Sequence, residues 1–198
     1  MKILIRIIDI LASGIGLLLL SPIFIIVAIW IVIDNPGPVF YRQQRVGRNG
    51  KDFGLWKFRS MRVGTDKGSL ITIGDHDSRI THAGYYIRKY KLDELPQLFN
   101  VFVGEMSLVG PRPEVRKYVD TYTLDQQKVL SVRPGITDYA SIEYIDENKL
   151  LAQSSNPDKT YIEEIIPAKI ALNMRYIEHQ TVSEYFKIIF LTFGKVIR

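Results

Sequence analysis

Between Ile10 and Ile33 the chain carries no charged residue, and these roughly 24 apolar-leaning positions would make a helix ~36 Å long. A bilayer core is ~30 Å thick, so the segment is long enough to span one and too apolar to sit in water. A cleavable signal peptide fits less well, because the run is long and ends without a clear small-residue cleavage site. Ser21 and Pro22 stand at its middle. Proline removes a helix hydrogen bond and clashes with the preceding turn at a cost of ~3 kcal/mol, so the helix must bend there. Each arm is then about 12 residues, or ~18 Å, too short to cross alone.

The flanking charges point the same way. Lys2 and Arg6 precede the run, and Arg42, Arg45, Arg48, Lys51, Lys57, Arg59 and Arg62 follow it against a lone Asp52. By the positive-inside bias both ends belong on the cytoplasmic side. A re-entrant helix over residues 1–34, entering and leaving by one face, satisfies both observations, with the Ser21 hydroxyl free to take up a carbonyl released at the break. A kinked single-span anchor is the competing reading. Residues 35–198 are then expected to form a membrane-associated cytoplasmic domain, one structural unit with the anchor. In "SEYFKIIFLTFGKVIR" at the other end, Phe186, Ile189, Phe190, Phe193 and Ile197 follow helical spacing with Lys187, Lys195 and Arg198 beside them. Such a helix either lies in a headgroup layer or covers the core.

A chain of 198 residues with 46% hydrophobic content suits one domain with a membrane-contacting surface. Its net charge of +5 favours an anionic partner: nucleic acid, a phosphorylated ligand or a lipid headgroup. Without cysteine there is no disulfide or thiolate chemistry, and three histidines, His76, His82 and His179, argue against a zinc enzyme. After the apolar run the pattern predicts a strand around Val39 to Arg42, a Gly-Arg-Asn-Gly turn and a second strand around Phe53 to Phe58. Residues 64–78 read as a surface loop, "RITHAGYYIRKYK" as a helix, and Ser154 to Asp158 as a loop followed by helices. The class is α+β and mainly helical, with interfacial amphipathic helices and a small β-hairpin.

"KLDELPQLFN" places Asp93 and Glu94 side by side. Leu95, Leu98, Phe99 and Phe102 form a helical stripe ending at Gly104, which predicts a helix starting near Asp93 with Pro96 in its first turn. The plain reading makes Asp93 a cap and Glu94 a first-turn acid. Pro96 weakens it, because the third helical position then lacks the amide that a cap uses. Arg88, Lys89 and Lys91 nearby would hold the acids ionised and attract phosphate. In "GEMSLVGPRPE", Pro111 and Pro113 stiffen the backbone around Arg112, and Gly110 before them permits close approach of a ligand; "VRPGIT" repeats the arrangement at Arg133. Mg²⁺ would suit carboxylates and phosphate oxygens together. No P-loop or dinucleotide fingerprint is present.

"SP" within the apolar run, "KFRSM", "RIT", "LDELPQLFNV", "GEMSLVGPRPE" and "RPGIT", in this order, closely resemble the monotopic phosphoglycosyl transferases, bacterial sugar transferases that begin glycoconjugate assembly. The resemblance covers about residues 1–137. It implies transfer of a sugar phosphate from a UDP-sugar to polyprenyl phosphate at the inner leaflet of the bacterial cytoplasmic membrane, releasing UMP. Asp93 resembles the nucleophile that forms a covalent phosphosugar intermediate and a ligand of Mg²⁺, with Glu94 its partner; ping-pong kinetics follow. Ser21 and Pro22 match the break of a re-entrant membrane helix. Arg88 and Arg112 match phosphate- or nucleotide-facing positions, Lys57 and Arg59 are expected to support the acidic site, and Arg133 is a further phosphate-binding candidate.

After "RPGIT", Asp138, Tyr139, Ser141, Glu143, Tyr144 and Asp146 depart from the family pattern, which predicts that residues 138–160 help select the sugar. His82 departs too and is assigned no role. The chain is expected to carry no membrane-spanning domain ahead of the re-entrant segment and to be a minimal catalytic form. The expected partners are a UDP-sugar, polyprenyl phosphate and membrane lipids, with no nucleic acid; pairing into a homodimer stays open. A non-catalytic basic membrane scaffold and a membrane-bound, metal-dependent glycosyltransferase or phosphohydrolase are the alternatives.

Overall fold

The computed structural model describes residues 1–65 and 77–196. Most of the expected 64–78 loop, with His76, and also Ile197 and Arg198 lie outside the described residues. The uncharged run forms α1 (Lys2–Leu19) and α2 (Ser21–Asp34), bent by 58° across Leu20. Pro22 has no amide hydrogen to give the Leu18 carbonyl four residues back, and the Ser21 hydroxyl donates to that oxygen instead at 2.8 Å. Among the described residues no single helix is long and apolar enough to cross a membrane, whereas the bent pair is by length and composition.

The hairpin consists of β1 (Phe40–Val46) and β2 (Asp52–Phe58), paired antiparallel from Phe40 opposite Phe58 to Val46 opposite Asp52. The Gly-Arg-Asn-Gly turn closes it, with Asn49 at φ 58° and Gly50 at φ 73°, left-handed conformations that these residue types tolerate. Next come α3 (His82–Lys89), capped by Thr81 accepting from the Gly84 amide at 2.9 Å, and α4 (Gln97–Val103). Strand β3 (Ser107–Val109) pairs in parallel with β4 (Gly135–Thr137), a contact the sequence did not foretell because three residues are too few to show alternation. The remaining helices are α5 (Arg116–Val119), α6 (Tyr139–Glu143), α7 (Glu147–Ala152), α8 (Pro157–Thr160), α9 (Ile166–Glu178) and α10 (Val182–Val196). Among the described residues the chain is mainly helical with two small sheets, as the α+β reading expected.

The expected start of a helix near Asp93 is corrected. Leu92 to Glu94 form a 3₁₀ turn entered through Lys91 at φ 57°, and α4 begins only at Gln97. Pro96 explains the shift, since it cannot donate to the carbonyl of Leu92 and so interrupts the α pattern at that point.

Helix α1 is built into the body of the protein. The Asp9 carboxylate, one residue before the uncharged run, is buried and accepts from Ser107 Oγ at 3.0 Å, the Leu108 amide at 2.9 Å and the Tyr185 hydroxyl at 2.7 Å. Arg6 donates to the carbonyls of Val101 at 2.6 Å and Phe102 at 2.8 Å, satisfying the last turn of α4 with a cation at its negative end. Gly14 and Gly16 permit this approach: a Cβ at either would lie 3.3 Å from the Phe102 ring or 3.2 Å from Leu98. The outward faces remain apolar, with Leu11, Leu18, Ile25, Ile29, Phe102, Phe190 and Phe193 all exposed. Helix α10 covers the core with Tyr185 and Ile188 and presents Phe186, Phe190 and Phe193 outward.

A second polar cluster fixes the segment after β3. Glu114 accepts from the Tyr161 hydroxyl at 2.5 Å and faces Lys169 Nζ at 3.4 Å and Arg45 at 3.6 Å. Arg45 also donates to the Pro113 carbonyl at 3.0 Å, and Lys169 pairs with Glu147 at 2.9 Å. Burial alone would raise the Glu114 carboxyl, but Lys169, Arg45 and the Tyr161 hydroxyl hold it below the usual carboxylate range.

Two stability measurements follow. Asp9→Ala strands three donors, two of them buried side-chain hydroxyls, and is expected to cost at least about 3 kcal/mol in reversible unfolding of the detergent-solubilised protein. Glu114→Gln leaves Lys169 and Arg45 short of a countercharge and is expected to cost about 3 kcal/mol at neutral pH. Because the folded carboxyl is depressed relative to an unfolded value near ~4.3, its contribution is present above that pH and is lost as pH falls through the folded value. The gap between wild type and Glu114→Gln should therefore close on acidification; a gap independent of pH would contradict this assignment.

Candidate active site

Four of the residues singled out in the sequence converge. Lys57, near the end of β2, reaches Glu94 Oε1 at 3.9 Å. Arg112 grips the same carboxylate with both guanidinium nitrogens, NH1 to Oε2 at 3.2 Å and NH2 to Oε1. Asp93, on the same 3₁₀ turn, is 7% exposed and makes no hydrogen bond or ion pair among the described residues. It caps nothing.

Each element is pinned for a local reason. Asn100, fully buried on α4, accepts from the Trp56 amide at 2.9 Å and donates to the Gly54 carbonyl at 2.9 Å, locking the strand that carries Lys57 against the helix that follows the dyad. The Asp34 carboxylate at the end of α2 accepts from the Ala83 amide at 3.0 Å, tying α2 to the start of α3. Arg112 is set by the prolines on either side and by its own amide, which donates to Asp138 Oδ2 at 2.9 Å. That Asp138 oxygen also accepts from Asn173 Nδ2 at 2.8 Å, while its other oxygen caps α6 through the Ser141 amide. Gly110 serves a packing role in place of the expected ligand approach: a Cβ there would lie 2.4 Å from the Arg133 carbonyl, and one on Gly135 would lie 2.1 Å from the Gly110 amide.

The two acids experience opposite surroundings. Burial would raise Glu94, but Arg112 and Lys57 overcome it and hold the carboxyl well below the usual range. Burial raises Asp93, reinforced by the Glu94 charge and opposed by Lys57, Arg88 and Arg112. Lys57 is itself pushed down to about 8, chiefly by burial and against the pull of Glu94. Arg112 is raised by Glu94 and is permanently cationic. The result is one acid neutralised by two cations and one acid with spare capacity.

Arg88, on the last turn of α3, lies close enough for its charge to favour the ionised Asp93, and its guanidinium makes no hydrogen bond or ion pair among the described residues. Arg59 and Arg133 are not brought to the dyad. Strand β2 ends at Phe58, so the two-residue spacing no longer keeps Arg59 beside Lys57, and its guanidinium donates to Asn35 Oδ1 at 3.2 Å, the Pro36 carbonyl at 3.4 Å and the Asn35 carbonyl. Arg133 Nε donates to the Gly104 carbonyl at 2.9 Å, beyond the opposite end of α4. Asp138 and Tyr139 are also taken up internally, the latter donating to Glu184, so these two positions of the 138–160 segment are not free for a ligand. Asp9 and Asn100 are not anticipated, and Asp138, expected only as part of the sugar-selecting segment, also holds the Arg112 amide; all three bond to positions far away in the chain.

Among the described residues no cluster of three or more acids or histidines is assembled to hold a metal. Glu94 is engaged on both oxygens, whereas the Asp93 carboxylate is uncommitted. One free carboxylate fits Mg²⁺, which binds through one or two carboxylates and completes its octahedron with water and substrate phosphates.

A model of the bacterial sugar transferase family matches residues 1–198. The chain is 43% identical over 137 residues, 68% of its length, to a UDP-N-acetylgalactosamine-undecaprenyl-phosphate N-acetylgalactosaminephosphotransferase of Aeromonas hydrophila, covering 32% of that protein. It is 37% identical over 193 residues, 96% of its length, to a UDP-glucose:undecaprenyl-phosphate glucose-1-phosphate transferase of Klebsiella pneumoniae, covering 39% of it. A galactosyl transferase of Streptococcus agalactiae is 37% identical over 207 residues, 97% of this chain and 42% of that one. The chain thus spans about a third to two fifths of the length of these relatives. With the match running from the first residue to the last and taking in both the acidic pair and the arginine that grips it, the chain belongs to the bacterial sugar transferase family.

Proposed function

We propose that this chain transfers a sugar 1-phosphate from a UDP-sugar to polyprenyl phosphate at a membrane surface, through a covalent intermediate on Asp93. One observation carries the reading: of two adjacent carboxylates, Glu94 is neutralised by Arg112 and Lys57, and Asp93 is buried, unbonded and surrounded by cations. Neighbouring acids with opposed environments are the usual arrangement for distinct chemical roles. The relatives' names add the substrate class, nucleoside diphosphosugar and undecaprenyl phosphate.

In the first step a carboxylate oxygen of Asp93 attacks the β-phosphorus, forming an acyl phosphate bond as the bridging P–O bond breaks and UMP leaves with the electron pair. In the second, a phosphate oxygen of the polyprenyl phosphate attacks the same phosphorus, the Asp93 oxygen leaves, and the polyprenyl diphosphosugar is released. Burial leaves the attacking carboxylate poorly solvated and reactive, while Lys57 and Arg88 place positive charge beside the phosphate it meets. Arg112, fixed by its prolines and by Asp138, holds Glu94 still, so the second acid serves as a rigid countercharge. Mg²⁺ held by Asp93 would add positive charge against the diphosphate and the departing UMP.

The membrane is part of this reading. Phe99, Phe102 and Val103 of α4 are exposed directly after the dyad, and the outward faces of α1, α2 and α10 are apolar. With its arms bent by 58°, the N-terminal pair enters the cytoplasmic leaflet of a bacterial inner membrane and returns by the same face, which keeps the dyad at the depth of a lipid phosphate.

Incubating the protein in lipid nanodiscs with Mg²⁺ and a panel of UDP-sugars, without lipid acceptor, should give an intact-mass increase of one phosphosugar with the accepted donor and none with Asp93→Asn. Addition of polyprenyl phosphate should remove the adduct. Turnover in the presence of acceptor without any adduct in its absence would reject the covalent route and leave Asp93 as a metal ligand. Glu94→Gln, which frees Arg112 and Lys57 to compete for Asp93, should slow adduct formation by about a hundredfold or more in single-turnover measurements.

A further inference from the structure

At the end of α4 remote from the dyad lies a cleft lined by Lys2, Arg6, Arg48 and Arg133, with Asp9, Ser131, Tyr176 and Gln180 completing its polar wall. Its one carboxylate is turned inward, since Asp9 is buried and bonded to Ser107, Leu108 and Tyr185. Four cations therefore share a cleft with a single carboxylate, whose charge only partly offsets theirs at Arg133. The side chains of Lys2 and Arg48 make no hydrogen bond or ion pair among the described residues, both residues are exposed, and the Arg133 guanidinium has only its Nε engaged. Burial, and then the charges of Arg6 and Arg48, weaken the hold of Arg133 on its proton, the expected effect of crowding cations together. Such crowding is costly unless an anion relieves it.

The position indicates which anion. Arg6 is anchored to the carbonyls of Val101 and Phe102, and Arg133 to that of Gly104, so both guanidinium groups border the exposed Phe102 and Val103. Ile3 and Leu4 beside Lys2 are exposed as well. Cations ringing an apolar face sit at the depth of lipid headgroups. We infer that the cleft formed by Lys2, Arg6, Arg48 and Arg133 is a second anion site that binds the phosphodiester headgroup of an anionic membrane phospholipid, separate from the dyad. A bound headgroup would fasten the base of α1 and the end of α4 together at the membrane surface. The inference rests on the membrane placement proposed above but not on the chemistry at Asp93.

The test is lipid retention. The 198-residue chain is released from nanodiscs of equal parts phosphatidylcholine and phosphatidylglycerol and examined by native mass spectrometry. Phosphatidylglycerol should be retained selectively, by wild type and by Asp93→Asn alike. Arg48→Gln, at an exposed position without partners, should weaken retention about fivefold, and Arg48→Gln with Arg133→Gln about thirtyfold. Lys128→Gln, an equal change of charge elsewhere on the surface, should have no effect. Equal retention of the two lipids, an Arg48→Gln variant indistinguishable from wild type, or an equal loss in Lys128→Gln would overturn the proposal. So would displacement of the lipid by excess inorganic phosphate, which would make the cleft a site for the free ion, or by short-chain polyprenyl phosphate, which would make it the acceptor site.

Discussion

Asp9 accepts three hydrogen bonds from β3 and α10, and the seating of α1 against α4 can be traced from it. A carboxylate beside a long apolar segment is costly in any apolar setting unless its lone pairs are filled, so its three donors fix both the depth and the rotation of α1. With the rotation set, Arg6 falls on the terminal carbonyls of α4, and Gly14 and Gly16 face Phe102 and Leu98. Helix α4 is then clamped along its length, and the turn that precedes it cannot drift. The apolar N-terminus is thus a wall of the same core that holds the acidic pair.

Within that frame the acidic pair is differentiated by its surroundings and not by residue type. Arg112 is brought to Glu94 by backbone devices, two prolines and an amide held by Asp138, and Lys57 is brought by a strand whose register is pinned by Asn100. None of these supports touches Asp93. The site is built by engaging Glu94, Arg112 and Asn100 and leaving the neighbouring Asp93 carboxylate unsatisfied, which is a local exception to the rule that buried polar groups find partners.

Much of the frame was legible from short-range pattern. Ser21 and Pro22 foretold both the bend and the hydroxyl that repairs it, and Gly-Arg-Asn-Gly foretold the hairpin turn, because both depend on neighbouring residues alone. Pro96 correctly signalled that Asp93 would not act as a cap, although the helix begins later than its apolar stripe suggested. What stayed hidden depends on partners distant in the chain. Asp9 meets Tyr185 across a separation of 176 residues, and nothing near position 9 hints at it. Arg59 and Arg133 looked equivalent to Lys57 and Arg112 by motif, yet a strand ending one residue early and a carbonyl at Gly104 direct them elsewhere. Residue type announces a charge; only the fold decides where it points.

Gly110 and Gly135, by which the two proline-arginine segments are interlocked, meet backbone to backbone, each too close for the other to carry a side chain. At most packed contacts a larger residue on one side can be balanced by a smaller one on the other, and such exchanges leave paired changes behind as sequences diverge. Here neither partner has anything to give up, so no compensating exchange exists. The contact that joins the arginine loop to the second half of the chain would be silent in any record of coupled substitutions, however many sequences were compared.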